Sequence, residues 1–340
     1  MKVLLDTTFA HRGPTGTGVY LRQLVPALRE LGVEVIEAAN EGRRPPAGGG
    51  LGSVRNAAID RWWTAVELPH RAAAVRADVL HHALPAAAFA GAPPQVVTLH
   101  DLGFERLPAA FDPRFRAFAR RVHRAAARRA AAVVCVSETT ARDAAALWGV
   151  PRQRIVVARH GPGQRLPDTE PESASHLLYV GDAEPRKNLT ALLAAYAAYR
   201  AGGDPLPLVL AGTARSDDAG VRTELRPTPG RLARLYAGAV ALVHPSLHEG
   251  FGMVALEAMA AGVPVLAARA PGVVETCGDA ARYFDPRDPT TLAAALSEIA
   301  TDSALRDRLA QAGRARSAEF SWERSARAHL EAYTLAVPAR

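Results

Sequence analysis

The feature that most constrains this chain is an alternation of strands and helices that runs, breaks once and runs again. Short apolar runs at 2–6, 33–37, 78–81, 95–99, 132–136 and 155–158 have the length and composition of buried strands. Between them, 18–31, a stretch within 55–76, 113–130 and 138–148 carry apolar residues at helical spacing. Such alternation predicts a parallel sheet with helices on both faces. Around 160–175 the chain turns to Pro, Gly, Ser and charge (RHGPGQRLPDTEPESAS), the composition of an interdomain linker. Then the pattern restarts. Strands are expected at 176–180, 207–211, 221–225, 239–243, 263–267 and 282–284, and helices at 188–200, 230–237, 252–261, 289–299, 304–318 and 321–335. A length of 340 residues exceeds what one hydrophobic core usually serves, so two doubly wound domains in tandem are expected. Ligands of such sheets bind beyond the carboxyl ends of the strands, and two facing domains would share one cleft.

Charge is unevenly spread. Residues 1–160 carry 22 Lys and Arg against 13 Asp and Glu, and the remainder 19 against 21. Much of the surplus sits in RFRAFARRVHRAAARR, from Arg114 to Arg129. On a helix Phe115, Phe118, Val122 and Ala125/Ala126 form an apolar stripe with arginines around it. Two readings stay open: a solvated helix face, or a docking surface for an anionic membrane or a phosphate-bearing acceptor. No zinc-finger, RRM or homeodomain pattern accompanies the charge, so nucleic acid is not expected as a partner. Cys135 and Cys277 stand far apart without CxxC or His partners, which argues against a disulfide scaffold or a cysteine metal site. The opening MKVLLDTTFA reads as a first strand and not as a signal peptide, and no run is long enough to cross a bilayer. Together these point to the cytoplasm, with peripheral contact at the inner face of the membrane as an option. Residues 41–52 (EGRRPPAGGGLG) read as a loop.

Four segments carry candidate chemistry. In HPSLHEGFGMVALEAMAAGVPVLAA, from His244 to Ala268, a strand runs into a loop and a helix opens near Gly252. Gly250 and Gly252 let backbone approach a ligand, and free amides at a helix start suit a diphosphate. Glu249 and Glu257 flank the turn, and carboxylates accept hydrogen bonds from paired sugar hydroxyls. Glu249 could instead cap the helix. Glu257 stands among Ala255, Leu256, Ala258 and Met259, so its carboxylate needs a partner. In YVGDAEPRKNLTALLAAY, Arg186 and Lys187 precede a helix, where cations oppose the helix dipole unless an anion sits between them. Lys187 is one of only two lysines, the other being Lys2. In VVTLHDLGF, His100 and Asp101 end a buried strand, where either a ligand or a structural hydrogen bond would use the histidine. In GPTGTGVYLRQL, a glycine loop around Gly16 precedes the first helix, and Leu21 stands where a dinucleotide fingerprint wants glycine.

In this order and spacing the four segments resemble glycosyltransferase family 4, whose members have the GT-B fold. The likeness extends to VCVSETTARD, RHGPG, LARLYAGAVALVHPS and PGVVETCGDAARYFDP. It implies a donor-binding second domain and an acceptor-side first domain, with boundaries 1–163 and 164–318 and a final helix, 319–340, crossing back to the first. It implies that Glu249 binds donor-sugar hydroxyls and Glu257 the ribose hydroxyls. Gly250, Phe251, Gly252 and Met253 would face sugar and phosphate through their backbone. Arg186 and Lys187 would hold the leaving diphosphate. Gly16 would approach the same phosphates, His100 would lie near the transferred sugar, and Asp101 would orient that region. The sequence departs from the family at Val254, where proline is common, and at His160, where asparagine is common. A helix usual before the 221–225 strand is missing.

The implied activity is retaining transfer of a hexose, mannose-like as first candidate, from a nucleotide diphosphate sugar to a glycan, lipid-linked or small-molecule acceptor. No metal and no cofactor are expected, since no DxD motif is evident. A nucleotide-sugar hydrolase or sugar phosphorylase of the same architecture stays open, as does a non-catalytic sugar-nucleotide-binding protein. Trp62 and Trp63 could line an acceptor pocket or pack under a helix.

Overall fold

The computed structural model describes residues 1–11, 15–42, 51–86, 92–164, 166–167, 169–170 and 173–337. The chain forms two compact units, one of Met1–Glu105, Asp112–His160 and Trp322–Arg340, the other of Arg106–Phe111 and Gly161–Ser321.

The first unit is built on six parallel strands: β1 (Lys2–Asp6), β2 (Glu34–Ala38), β3 (Val79–His82), β4 (Gln95–Leu99), β5 (Ala132–Cys135) and β6 (Ile155–Val157), in the order β2-β1-β3-β4-β5-β6. Side chains alternate across a strand, so β1 feeds two cores. Val3 and Leu5 pack with Tyr20, Leu24 and Leu28 of the helix Gly16–Glu30 and with Ala326, Ala332 and Tyr333 of the helix Trp322–Ala336. Leu4 points the other way, to Leu80, Trp63, Leu68 and Ala72. Trp63 is buried, its Nε1 donating to Asp6 Oδ2 at 3.2 Å, whereas Trp62 is exposed. Trp63 is thus a packing residue.

The second unit repeats the plan with β7 (His176–Gly181), β8 (Leu208–Gly212), β9 (Val221–Leu225), β10 (Ala239–His244), β11 (Val265–Ala268) and β12 (Arg282–Phe284), ordered β12-β11-β10-β7-β8-β9 and all parallel. Leu177, Tyr179, Leu208 and Val243 face Leu192, Tyr196, Leu292 and Ile299 on one side. Leu178, Val209, Leu242 and Val265 face Leu235, Tyr236, Ala255 and Met259 on the other. The inner strands of both sheets are buried on two faces, which is why they read as continuous apolar runs, whereas the edge strands β2 and β9 keep exposed polar positions. No helix stands between β8 and β9, in line with the short connection seen in the sequence.

The structure departs from the expected elements at two places and adds detail at a third. The loop expected at 41–52 lies outside the described residues from 43 to 50, and its last two residues open the helix Leu51–Trp62. The helix Pro271–Cys277 has no counterpart among the expected elements, because seven residues are too few to show a period. The basic helix Pro113–Arg129 buries Ala119, Ala126 and Ala127, not its phenylalanines; Phe115 and Phe118 are exposed. A face of small alanines lies close against the unit and leaves the bulkier stripe outside. Parts of the glycine loop (12–14) and of the linker (165, 168, 171 and 172) also lie outside the described residues. No helix among the described residues is long and apolar enough to cross a membrane.

Candidate functional site

Strand order decides where the second unit can hold a ligand. From β7 the chain moves to β8 and β9 on one side; β10, β11 and β12 fill the other. The loops leaving β7 and β10 therefore diverge and open a crevice at the carboxyl ends of two adjacent strands. The loop after β7 carries Arg186 and Lys187 in a single 3-10 turn, Pro185–Lys187, just before the helix Leu189–Arg200. The loop after β10 carries Glu249 and leads to the helix Met253–Ala260. Leu247 N–H donates to Arg186 O at 2.8 Å and ties the loops together.

The anion that the Arg–Lys pair calls for is Glu249. Its Oε1 accepts from Lys187 Nζ at 2.6 Å and its Oε2 from Arg186 Nη1 at 3.2 Å. Burial alone would raise this carboxyl, but Lys187 and then Arg186 outweigh it and hold it well below the usual carboxylate range. Arg186 also pairs with Glu184 at 2.7 Å. Glu249 does not cap the following helix. Gly252 occupies that position with φ +97° and, having no side chain, offers no cap to the first amides of the helix. Phe251 turns its ring into the unit against Phe320, and its carbonyl accepts from Thr276 Oγ1 at 2.5 Å.

Glu257 sits one to two turns into that helix, buried as the sequence implies, and it has partners. Oε1 accepts from Gln164 N–H at 2.9 Å and Oε2 from Tyr236 O–H at 3.0 Å. Burial pushes its carboxyl up to about 7, against the pull of both bonds. Gly163 makes room for it, since a Cβ there would lie 1.8 Å from Glu257 Oε1. A carboxylate has about four acceptor directions, so capacity for further donors remains. Tyr236 has no signal in the sequence, because it meets Glu257 only through the packing of two helices. Gly163 lies in the RHGPG segment, but its reason becomes visible only with Glu257 against it.

Gly16, His100 and Asp101 belong to the first unit. Gly16 opens its helix behind Thr15, whose hydroxyl caps Gly18 N at 3.1 Å; nothing lies within 4 Å of a Cβ at Gly16, so the chain itself does not require glycine there. His100 Nε2 bonds Ala83 O at 3.0 Å, which makes Nε2 the protonated nitrogen; burial lowers its pKa and keeps the ring neutral. Asp101 Oδ1 accepts from Gly103 N at 2.8 Å and so caps the short turn Gly103–Arg106. His160, the linker departure, stacks on Trp322 with ring centroids 5.3 Å apart. Among the described residues no group of three or more His, Cys, Asp or Glu side chains is placed to hold a metal ion.

The profile of "Glycosyltransferase Family 4" matches residues 14–161, and that of "Glycosyl transferases group 1" matches 165–316. The O-antigen chain mannosyltransferase B of Escherichia coli is 30% identical over 60% of this chain and 60% of its own length. A D-inositol 3-phosphate glycosyltransferase of Salinispora arenicola is 34% identical over 50% of this chain and 43% of its own. The chain thus spans about half the length of the curated relatives it matches. Among solved structures, a sucrose-phosphate synthase from Thermosynechococcus elongatus superposes with a TM-score of 0.75 at 21% identity, covering 98% of both chains, a likeness of fold.

Proposed function

The chain belongs to glycosyltransferase family 4, and on that premise we propose that it transfers a hexose from a nucleotide diphosphate sugar to a hydroxyl of a glycan, lipid-linked or small-molecule acceptor. Mannose is the first candidate, a choice supported by the mannosyltransferase relative. The observation that carries the reading is the pair Arg186 and Lys187 on a buried carboxylate at the switch point of the second sheet, beside an uncapped helix start.

In this reading Arg186, Lys187 and the first amides of the helix Met253–Ala260 bind the diphosphate, Glu257 the ribose diol and Glu249 the hexose hydroxyls. Gly16, His100 and Asp101 of the first unit keep the roles that the family resemblance implies. As the anomeric C–O bond to phosphate breaks, its electron pair stays on the diphosphate, and the two cations stabilise the growing charge without a metal. The sugar passes through an oxocarbenium-like state. The acceptor hydroxyl attacks from the face that the phosphate leaves, so configuration is retained, and its proton goes to a phosphate oxygen. The test is product analysis with GDP-mannose and UDP-glucose against acceptor panels, in chelator, with the anomeric centre read by NMR. A retained glycoside is expected; free sugar whatever acceptor is offered would favour the hydrolase reading, and loss of activity in chelator would remove the metal-free mechanism.

We also propose that the helix Pro113–Arg129 docks on an anionic membrane. It contains no acidic residue, Arg114, Arg121, Arg128 and Arg129 have no ion-pair partner among the described residues, and Phe115 and Phe118 stand 43% and 54% exposed beside them. Cations with aromatic anchors on one face suit an interfacial helix better than a merely solvated one.

A further inference from the structure

His244, the last residue of β10, takes no part in the reading above. Its side chain is 4% exposed, and among the described residues no hydrogen bond reaches its Nε2, which lies 3.7 Å from Glu249 Oε1. Two residues on, the hydroxyl of the fully buried Ser246 is also without a partner among the described residues. Buried polar atoms left unbonded weaken a fold, and two of them at the end of one strand beside a candidate ligand site call for a reason. Burial, opposed by the nearby Glu249, holds the imidazole pKa down to about 4, so the ring is neutral at neutral pH and can carry its one proton on Nε2.

Glu249 faces a conflict when a diphosphate arrives. It is the counter-ion of Arg186 and Lys187, and the phosphates compete for both cations with greater charge. Once displaced, an ionised carboxylate cannot remain buried and unpaired beside phosphate. Shortening 3.7 Å to a hydrogen bond of about 2.9 Å needs a movement of under 1 Å. We propose that His244 is a positioning residue: when donor phosphates take Arg186 and Lys187, Glu249 is handed to His244 Nε2–H, which fixes its carboxylate for the hexose hydroxyls. The inference rests on reading this crevice as the donor site. Without donor the carboxylate is held by the cations and His244 waits unbonded; with donor it is held by the imidazole.

The test is a double-mutant cycle of His244→Phe and Glu249→Gln, with His244→Gln as the conservative variant, read by donor kcat/KM, by UDP and GDP binding and by melting temperature. His244→Phe should melt no lower than the parent, since it removes an unbonded polar atom, yet lose at least about ten-fold in kcat/KM. In the Glu249→Gln background the same change should matter less than two-fold, because no displaced charge needs catching. His244→Gln, which keeps an N–H near the same place, should recover most of the loss. Equal losses in both backgrounds, a lower melting temperature for His244→Phe, or failure of His244→Gln to rescue would overturn the hand-over. Glu249→Gln alone should weaken donor-sugar recognition while leaving nucleoside diphosphate binding as strong or stronger. If it alters neither, the donor-site reading itself fails, whatever His244 does.

Discussion

At the scale of residues, the candidate site is a set of charges that the chain neutralises within itself. Lys187→Ala removes one cation but leaves Glu249 paired with Arg186, so the fold should survive while turnover falls by about 10²–10³-fold, the size of losing one preorganised stabilising group. Steady-state rates beside a melting curve check this, and undiminished turnover would remove Lys187 from the mechanism. Gly163 gives a second test. An added methyl would overlap Glu257 Oε1, and the flexible carboxylate, rather than backbone, would have to move. Gly163→Ala should therefore weaken nucleoside diphosphate binding by about ten-fold or more, since one charge-assisted contact is worth roughly 1.5–3 kcal/mol. Calorimetric titration with UDP and GDP reads it; unchanged affinity would mean that Glu257 holds the linker and not the nucleotide.

At the scale of elements, two helices stand apart. The helix Trp322–Ala336 is tied to the first sheet by buried polar bonds: Tyr20 O–H meets Thr98 Oγ1 at 3.0 Å and His329 Nε2 at 2.8 Å, and His81 meets Tyr333 O–H at 2.8 Å and Thr98 at 2.9 Å. Each group is satisfied, which fixes the helix in one register against the sheet. The helix Pro113–Arg129 is different, since most of its surface faces outward. Each arginine near an anionic surface is worth about 1 kcal/mol, or roughly five-fold. Sedimentation with phosphatidylglycerol vesicles should show binding that phosphatidylcholine vesicles and high salt abolish. Arg121→Gln should weaken it several-fold, and Phe115→Ser with Phe118→Ser should weaken it at every salt concentration. Binding insensitive to the phenylalanines would point to plain charge, and no binding would leave a solvated helix.

At the scale of the whole molecule, buried histidines set the response to acid. Burial lowers the pKa of His81, His82, His100 and His160, and brings His123, His244 and His329 to about 4 from the ordinary 6.5. Because the unfolded chain protonates first, the stability these rings contribute is complete above about pH 6.5 and is lost as pH falls toward 4. Glu257 acts in the opposite sense: its raised pKa favours the folded state below 4.5, an advantage lost as pH rises through about 7. Seven rings outweigh one carboxyl, so the melting temperature should drop by several degrees between pH 7 and pH 5. A flat profile would mean that the rings take up protons without disturbing their neighbours.

The strands and the longer helices were legible in the chain, because strand and helix periods and helix-start signals are local, whereas helices as short as Pro271–Cys277 were not. All twelve expected strands are present, each within a residue or two. Sheet order was not legible. It places the loops of β7 and β10 side by side and so brings Glu249 to Arg186 and Lys187 across more than sixty residues of chain. The same holds for Tyr236 on Glu257, for alanine instead of phenylalanine on the buried face of the basic helix, and for His244 left just out of reach of Glu249. Periodicity reports which face of an element is apolar, whereas only packing decides what that face, or a buried charge, meets.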